Sequence, residues 1–380
     1  MDRRSFLKYS AAGLAGLTLP VGFPQAAAGK PRNGKYNIVI LGDTHYDAAD
    51  PERYHAGYTL PDNPKREAAH RKEFIRNGQM WSGGSSRGLV KRAACLVDDD
   101  TRYIFQMGDL IQGDTADAPS HRRFLDDAMN LFKTDLAPDL PFITVVGNHD
   151  VRGNDDAVAA QAYADYMPER MSQELGQEIT GNNFLFRCGP DAFVVIDFTR
   201  PDIPAIERLL SQAEGSRHIF VIVHSPVFPY DHPKYFWWFL LGGRNDPRPD
   251  DRRHVRKLLA AHNVIVLCGH VHNTEFLDWY GDGGRITQMT MSSVWSYPSR
   301  GVYKEIAAGK EEYGTLLFEK DPEVRTPETC ALFDEYRAGI RAYSKADTAG
   351  SYKLTVDGKK VFVDFYAGDS ARRSRRFILR

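Results

Sequence analysis

The residues best suited to chemistry in this sequence come directly after short apolar segments. The segment 143–146 is typical of a buried β-strand, and it runs into Gly147-Asn148-His149-Asp150, which combines an amide, an imidazole and a carboxylate. Buried parallel strands are continuous apolar runs, and open α/β sheets bind ligands beyond the carboxyl ends of such strands. Asn, Asp and Gly also form ordinary turns, so this segment alone leaves a simple turn and an active-site edge equally open.

Four further apolar segments end in the same way. Asp43 and His45 follow the segment 36–41, Asp109 follows 103–107, His224 follows 218–223, and His270 and His272 follow 263–268. The His-x-His pair is weak evidence by itself, because chance gives roughly 0.4 such pairs in a chain of this composition. The repetition of the pattern at five strand ends predicts that these groups meet at one edge of a sheet.

The chemistry of these side chains predicts a metal site. Apart from His149 and Asp150, they comprise two carboxylates, one amide and four imidazoles. Nitrogen mixed with hard oxygen suits zinc, iron or manganese rather than calcium, and the lack of thiolate argues against a closed structural zinc site. Seven donors are too many for one tetrahedral ion and suit two ions that keep open positions.

Composition and local patterns describe the rest of the chain. The 42% hydrophobic and 26% charged residues are typical of a soluble globular protein, and a formal charge of −1 argues against general or sequence-specific nucleic-acid binding. None of the four cysteines forms a CxxC pair. Periodicity predicts helices at 87–98, 120–136, 157–175 and 327–343, hairpins at 184–197 and 353–365, a strand at 315–318, and long loops at 46–86 and 230–249.

The N-terminus predicts export. Arg3 and Arg4 precede an apolar stretch at 9–23, and Ala26-Ala27-Ala28 offers the small residues of a signal-peptidase site. The run resembles a twin-arginine signal, which implies a signal peptide at 1–28, the twin-arginine export machinery as a partner, and a periplasmic or extracellular location. An amphipathic or anchoring N-terminal helix is the alternative. No later stretch reaches the roughly 18 apolar residues needed to span a bilayer.

The order of the motifs resembles that of the calcineurin-like metallophosphoesterases. Their Asp-x-His, Gly-Asp, Gly-Asn-His-Asp/Glu, lone His and Gly-His-x-His motifs all occur here in sequence over residues 36–295. The resemblance implies a four-layer α/β/β/α sandwich at 35–310, with a small helix and β-hairpin appendage at 311–380 packed on the same domain. Purple acid phosphatases resemble this pattern but place a tyrosine ligand where this chain has Gln112, which disfavours a ferric-tyrosinate site.

The resemblance also implies residue roles. Asp43, His45 and His272 are expected to bind one metal ion, and Asn148, His224 and His270 the other, with Asp109 bridging the two. A hydroxide held between two ions would attack phosphorus in line. His149 is expected to stabilise the transition state and protonate the leaving group, with Asp150 orienting its second ring nitrogen; a turn or helix cap is the alternative role for Asp150.

The expected activity is therefore hydrolysis of phosphoric esters, either monoesters or diesters, by an exported enzyme with two metal ions. A nucleotide or nucleic-acid phosphodiesterase is a rival within that class, and a non-catalytic interaction module on the same fold is the alternative outside it. Tyr54, His55, Trp237 and Trp238 lie in the two long loops and are candidates for gripping the substrate. Packing of these rings against the core and contact with a membrane surface are the other interpretations.

Overall fold

The chain alternates strands and helices over the residues that the computed structural model describes, 34–243, 248–294 and 302–380. The predicted signal peptide at 1–28 lies outside these ranges. The strands are β1 (Lys35–Leu41), β2 (Thr101–Gln106), β3 (Phe142–Thr144), β4 (Phe184–Cys188), β5 (Asp191–Ile196), β6 (Ile219–Val223), β7 (Ile265–Cys268), β8 (Thr274–Gly281), β9 (Gly284–Thr290), β10 (Glu305–Ala308), β11 (Ile340–Ala346), β12 (Gly350–Asp357), β13 (Lys360–Ala367) and β14 (Arg375–Ile378). The helices are α1 (Glu52–His55), α2 (Pro64–Ser82), α3 (Ser85–Ala94), α4 (Ala118–Leu136), α5 (Asp156–Leu175), α6 (Ile203–Ala213), α7 (Pro249–Ala261), α8 (Thr315–Lys320) and α9 (Pro327–Arg337).

Two mixed sheets form the centre of the molecule. The first has the strand order β14-β13-β12-β1-β2-β3, and the second has the order β10-β11-β8-β9-β7-β6-β5-β4. β1, β2 and β3 run parallel to one another, as do β5, β6, β7 and β9. The carboxyl ends of β1, β2 and β3 therefore share one edge, and so do those of β6 and β7. This arrangement is what the five strand-end motifs require.

The two sheets pack face to face, with helices on both outer surfaces. Between the sheets, the ring of Phe105 on β2 lies 5.6 Å from that of Phe193 on β5. One buried cluster joins this interface to the apolar faces of α3, α4 and α5, and a second joins the outer face of the second sheet to α6 and α7. The predicted four-layer α/β/β/α sandwich is confirmed.

The region 46–86 differs from its prediction, because it contains α1 and the long helix α2 rather than an unstructured loop. Asn63 begins α2 by accepting a hydrogen bond from the amide of Arg66, and Pro64 occupies its first position. The buried face of α2 includes His70 and Asn77 as well as apolar residues. Polar side chains on the buried face weaken the hydrophobic period from which a helix is predicted.

The segment 315–318 also differs from its prediction, since it forms the short helix α8 instead of a strand. The carboxylate of Asp231 accepts a hydrogen bond from the amide of Leu317 at 2.8 Å in the first turn of this helix. A carboxylate at a helix N-terminus satisfies free amide groups and interacts favourably with the helix dipole. The helix predicted at 327–343 is shorter than expected, because α9 ends at Arg337 and β11 begins at Ile340.

The C-terminal residues contribute strands to both sheets. The predicted hairpin is confirmed as β12 and β13, which pair from Gly350 with Ala367 to Asp357 with Lys360. β12 also pairs antiparallel with β1 along its length, and β11 lies between β10 and β8 in the second sheet. The division of the chain near residue 310 stays a prediction. In the described part of the chain, no helix is long and apolar enough to cross a membrane.

Candidate metal centre

Hydrogen bonds between loops bring four of the five strand ends together. The amide of His45 donates to the carbonyl of Asp109 at 2.8 Å, which ties the loop after β1 to the loop after β2. The amide of Gly269 donates to the carbonyl of His224 at 2.8 Å, which ties the loops after β7 and β6. The amide of His270 then donates to both carboxylate oxygens of Asp43 at 3.0 Å and so joins the two sheets.

The first group of donors consists of Asp43, His45, Asp109 and His272. One ligand atom from each lies within 4.8 Å of all the others. Nε2 of His272 is 3.0 Å from Oδ2 of Asp43 and 3.0 Å from Nε2 of His45. These are the three side chains expected at one metal ion, together with the expected bridge.

The second group consists of Asp109, His224 and His270, again with ligand atoms within 4.8 Å of one another. Nε2 of His224 lies 3.2 Å from Oδ2 of Asp109 and 3.1 Å from Nδ1 of His270. Asp109 belongs to both groups, and the same oxygen, Oδ2, is also 3.8 Å from Nε2 of His45. This is the position expected of a bridging carboxylate.

Asn148 provides the test of whether cations fit this site. Its side-chain oxygen Oδ1 is buried and has no hydrogen-bond partner. A buried polar atom of this kind requires an explanation, and a bound ion is one of the few available. Within each group, two imidazole nitrogens also face each other. The distance is 3.0 Å between His45 and His272 and 3.1 Å between His224 and His270. Converging acceptor atoms fit cations, so the residues present suit a centre of two metal ions.

Backbone conformation sets the donors apart from the rest of the chain. Of the described residues other than glycine, eight have positive φ angles, and four of them are His45 (41°), Asp109 (52°), His270 (73°) and His272 (53°). Non-glycine residues in this left-handed region are strained by about 1–3 kcal/mol each and cluster at functional sites. The fold therefore holds these donors in conformations that they would not adopt spontaneously.

Two motif glycines allow the close approach. A Cβ atom on Gly147 would lie 2.1 Å from the amide nitrogen of Asp109 and 2.2 Å from its Oδ1. A Cβ atom on Gly269 would lie 2.2 Å from Oδ1 of Asp43. Any side chain at these positions would displace a predicted metal ligand, which explains the glycine in the motifs Gly-Asn-His-Asp and Gly-His-x-His.

The burial of the site shifts the pKa values of its groups in opposite directions. Burial alone would lower the pKa of His224, but the carboxylates of Asp109 and Asp43 raise it to about 9. Burial, with the neighbouring His224, lowers the pKa of His270 to about 3. Burial opposes ionisation of Asp109, but His224 and His149 hold its pKa well below the usual range. The carboxylate expected to bridge is therefore ionised, as a metal ligand must be.

His149 lies beside the donors, with its ring 4.4 Å from that of His45. Its Nδ1 lies 2.9 Å from the carbonyl oxygen of Gln112. The expectation that Asp150 orients this nitrogen is wrong. Asp150 lies in the tight turn at His149–Val151, and its buried carboxylate accepts hydrogen bonds from the amides of Ile111 at 3.1 Å and Gly147 at 2.8 Å. Asp150 shapes the turn, which is its alternative role.

A pocket of about 480 Å³ opens onto the donors. Its lining combines Asp109, Asn148, His149, His270 and His272 with groups from α2, the 230–249 loop, the loop between β7 and β8, and the C-terminal region. These further lining residues are Glu73, Arg76, Tyr230, His232, Tyr235, Trp238, Val271, Asn273, Ile306, Lys320, Lys345 and Asp347. The pocket is large enough for a phosphoryl group and part of its leaving group.

The structure places Tyr54 and His55 away from the pocket lining. Tyr54 is 1% exposed, and its ring stacks on that of Phe124 at 3.8 Å. His55 is also buried, with Nε2 3.0 Å from a carboxylate oxygen of Asp47. Both rings pack the α1–α2 region against the core, so their expected contact with substrate is not supported by their position.

Trp238 lines the pocket, whereas Trp237 does not. The ring of Trp238 lies 4.8 Å from that of His270 and 4.1 Å from that of Tyr235. Trp237 meets Trp238 edge-on at 5.8 Å. Trp238 is half-buried, so it packs against His270 while it also lines the pocket.

Sequence reasoning missed several groups around the site. Tyr230 and Tyr235 lie in the aromatic segment that was predicted to be a loop, so a signal for them existed. Glu73 lies in the region 46–86, which was predicted to be a loop and therefore gave no reason to single it out. Arg152 follows the strand-end motif by two residues, but nothing in its spacing indicated that its guanidinium would lie 3.4 Å from Nε2 of His149.

Comparison with known proteins agrees with this geometry. The sequence matches the calcineurin-like phosphoesterase family over residues 36–274, which is more than half of the chain. The chain belongs to this family. It is accordingly a metallophosphoesterase, a hydrolase of phosphoric esters, and it carries a cluster of His and Asp residues that could bind two metals. No curated protein matches the sequence.

Solved structures with similar folds support the family assignment at the level of the fold. A purple acid phosphatase, PPD1, from yellow lupin (Lupinus luteus) seeds has a TM-score of 0.52 and 12% sequence identity, over 92% of this chain and 54% of that one. PhoD has a TM-score of 0.51 and 12% identity, over 92% of this chain and 70% of that one. This metallophosphoesterase thus spans about half the length of the lupin enzyme.

Proposed function

We propose that this chain is an exported phosphoric ester hydrolase that uses two metal ions, of manganese, zinc or iron, to cleave phosphate monoesters or diesters. The observation that carries the proposal is the pair of donor groups that share Oδ2 of Asp109. Asp43, His45 and His272 would hold one ion, and His224, His270 and the orphaned Oδ1 of Asn148 the other. Bound ions at such a site supply an activated water and neutralise charge on the phosphoryl oxygens.

His149 is the residue proposed to assist the departing group. It lines the pocket beside the donors, and its Nδ1 must carry a hydrogen because the Gln112 carbonyl can only accept one. Nε2 therefore carries the lone pair while the ring is neutral, and burial followed by the Arg152 cation lowers the pKa of His149 well below its usual range. An anionic phosphoryl group beside the ring favours its protonated form, in which Nε2 would donate to the leaving oxygen and would no longer accept from Arg152.

The proposed location rests on the sequence alone. Arg3 and Arg4 stand before an apolar stretch and an Ala-Ala-Ala site, a pattern that favours twin-arginine export to the periplasm or beyond. Replacing both arginines by lysine is expected to leave the protein in the cytoplasm, as measured by cell fractionation. An unchanged distribution would reject twin-arginine export.

Activity assays test the chemistry. Purified protein loaded separately with manganese, zinc or iron should hydrolyse aryl phosphate monoesters or diesters, and the preferred ester identifies the substrate class. Asp109→Asn and His149→Ala should each lower kcat by at least about 100-fold, since each removes a group from the reacting centre. Rates equal to the wild type on every ester would reject the proposed roles of these residues.

A further inference from the structure

Both ring nitrogens of His149 are engaged by the protein. Nδ1 donates to the carbonyl of Gln112 at 2.9 Å, and Nη1 of Arg152 lies 3.4 Å from Nε2. A guanidinium can only donate, so Arg152 approaches the lone pair that the first hydrogen bond leaves on Nε2. While the ring is neutral, the two contacts hold the imidazole from opposite sides.

Arg152 is itself fixed by two carboxylates. Its Nη2 donates to Oδ2 of Asp114 at 2.7 Å and to Oε2 of Glu73 at 3.0 Å. Asp114 is fully buried, and the Arg152 side chain is only 12% exposed. Charge-assisted hydrogen bonds to buried groups are strong and directional, so this guanidinium has little freedom to move.

The contact of His149 with Gln112 leads to the same two carboxylates. The side-chain Nε2 of Gln112 donates to Oε2 of Glu73 and to Oδ2 of Asp114, at 3.3 Å in each case. His149, Gln112, Glu73 and Arg152 thus form a closed ring of contacts. Glu73 belongs to α2, so the helix inserted between β1 and β2 completes this ring.

We propose that Arg152 is a positioning residue for His149, anchored from below by Asp114 and from the inserted helix α2 by Glu73. This inference rests on the proposed function, because it assumes that His149 takes part in the reaction. Arg152 does not line the pocket and acts only through the imidazole. The α2 insertion thereby contributes to catalysis through the orientation of one side chain, besides forming a wall of the pocket.

A second buried arginine provides a matched control. Arg217 is 19% exposed and pairs with the fully buried Asp191, with Nε 2.9 Å from Oδ1. It precedes β6, whereas His224 follows that strand, so the pair lies at the opposite edge of the sheet from the donors. Arg217→Gln therefore removes a similar ion pair without touching His149.

The experiment compares Arg152→Gln, Arg217→Gln, His149→Ala and the double variant His149→Ala/Arg152→Gln. For each protein, kcat and KM are measured on one aryl ester, together with bound metal per chain and the melting temperature. Arg152→Gln is expected to lower kcat by about 10–100-fold, the usual effect of losing a group that orients a functional side chain, with KM and metal content unchanged. Arg217→Gln should keep kcat within about twofold of the wild type.

The double variant separates positioning from a general effect. If Arg152 acts through His149, Arg152→Gln lowers kcat no further once His149 is alanine. A wild-type kcat in Arg152→Gln, or a full additional loss in the double variant, would overturn the inference. A wild-type kcat in His149→Ala would instead reject the proposed role of His149.

If Arg152→Gln does not fold, the variant Glu73→Ala tests the positioning role of Arg152 instead. The Glu73 side chain is 40% exposed, and its removal leaves Asp114 to hold Arg152. The expected result is a several-fold fall in kcat that disappears in the His149→Ala background. An unchanged kcat in Glu73→Ala would then overturn the inference.

Discussion

The backbone amide of His149 donates a hydrogen bond to Oδ1 of Asp109 at 2.8 Å. This contact fixes the carboxylate so that its second oxygen, Oδ2, faces His224 on one side and His45 on the other. The strand end that carries the proposed general acid therefore also orients the proposed bridging ligand. An atom added at Gly147, where the turn after β3 touches Asp109, is expected to disturb both.

Gly147→Ala tests this coupling. The added Cβ would meet the amide nitrogen and Oδ1 of Asp109 at 2.1 and 2.2 Å, so the turn or the carboxylate must move. We expect a loss of about 1–3 kcal/mol in the free energy of unfolding and a large fall in bound metal. Chemical denaturation and elemental analysis measure these two effects. Gly181→Ala is the control, since nothing lies within 4 Å of its new Cβ; equal behaviour of the two variants would contradict the account.

Asp150→Ala separates the structural role of Asp150 from the chemical role of its neighbour. The carboxylate accepts two buried amides, of Ile111 and Gly147, which the substitution leaves unpaired. We expect a loss of about 1–3 kcal/mol in the free energy of unfolding. The kcat of the folded enzyme should fall far less than in His149→Ala, for which about 10²–10⁴-fold is expected. Equal losses of kcat in Asp150→Ala and His149→Ala would contradict this account and indicate a catalytic role for Asp150.

Trp238→Ala is expected to weaken the second metal position. The indole packs against His270, 4.8 Å between ring centres, and its removal frees that ligand to change orientation. Groups that orient metal ligands typically contribute 10–100-fold in affinity, so we expect a loss of about that size for one of two ions. Calorimetric titration of the metal-free protein measures it. Trp237→Ala should bind both ions normally, and a loss equal to that of Trp238→Ala would argue against a specific role.

The stability of the fold should depend on pH through Asp98. Partial burial would raise the pKa of Asp98, but Lys353, Asn37 and Thr101 lower it to about 2. A carboxyl group whose pKa is lower in the folded state stabilises the protein above its unfolded pKa of about 3.9, and this contribution is lost as pH falls through the folded value.

The variant Asp98→Asn removes this ionisable carboxyl group and tests its contribution to stability. Because the carboxylate is 46% exposed, solvent screening limits the expected loss at pH 7 to about 1 kcal/mol of unfolding free energy. The difference between the variant and the wild type should shrink towards zero near pH 2. Denaturation curves at both pH values provide the measurement, and a difference independent of pH would exclude an ionic contribution.

Much of the centre could be predicted from the sequence because each donor is a local feature at the end of a strand. Asp43, Asp109 and His270 are recognisable from an apolar run, a glycine and a polar residue, and parallel strands bring such ends together. The role of Asp150 could not be predicted in this way. It depends on the direction that a tight turn gives to a side chain, and the structure corrects it.

Contacts between distant residues explain the other differences. The helix at 315–320 is stabilised at its start by Asp231, more than 80 residues earlier in the chain. The helix α2 buries polar residues such as Asn77 among apolar ones, so its periodicity was too weak to predict it. Arg152 is held beside His149 by Asp114 and, from α2, by Glu73. Neither spacing nor composition records such contacts.

The central claim, a centre of two metal ions bridged by Asp109, is tested most directly by the number of ions that the protein retains. The protein is loaded separately with excess manganese, zinc or iron, freed of unbound ions, and analysed for metal per chain. We predict two ions per chain for at least one metal in the wild type, about one in His224→Ala, and fewer than two in Asp109→Ala. A wild-type protein that retains no more than one ion with every metal would contradict the account.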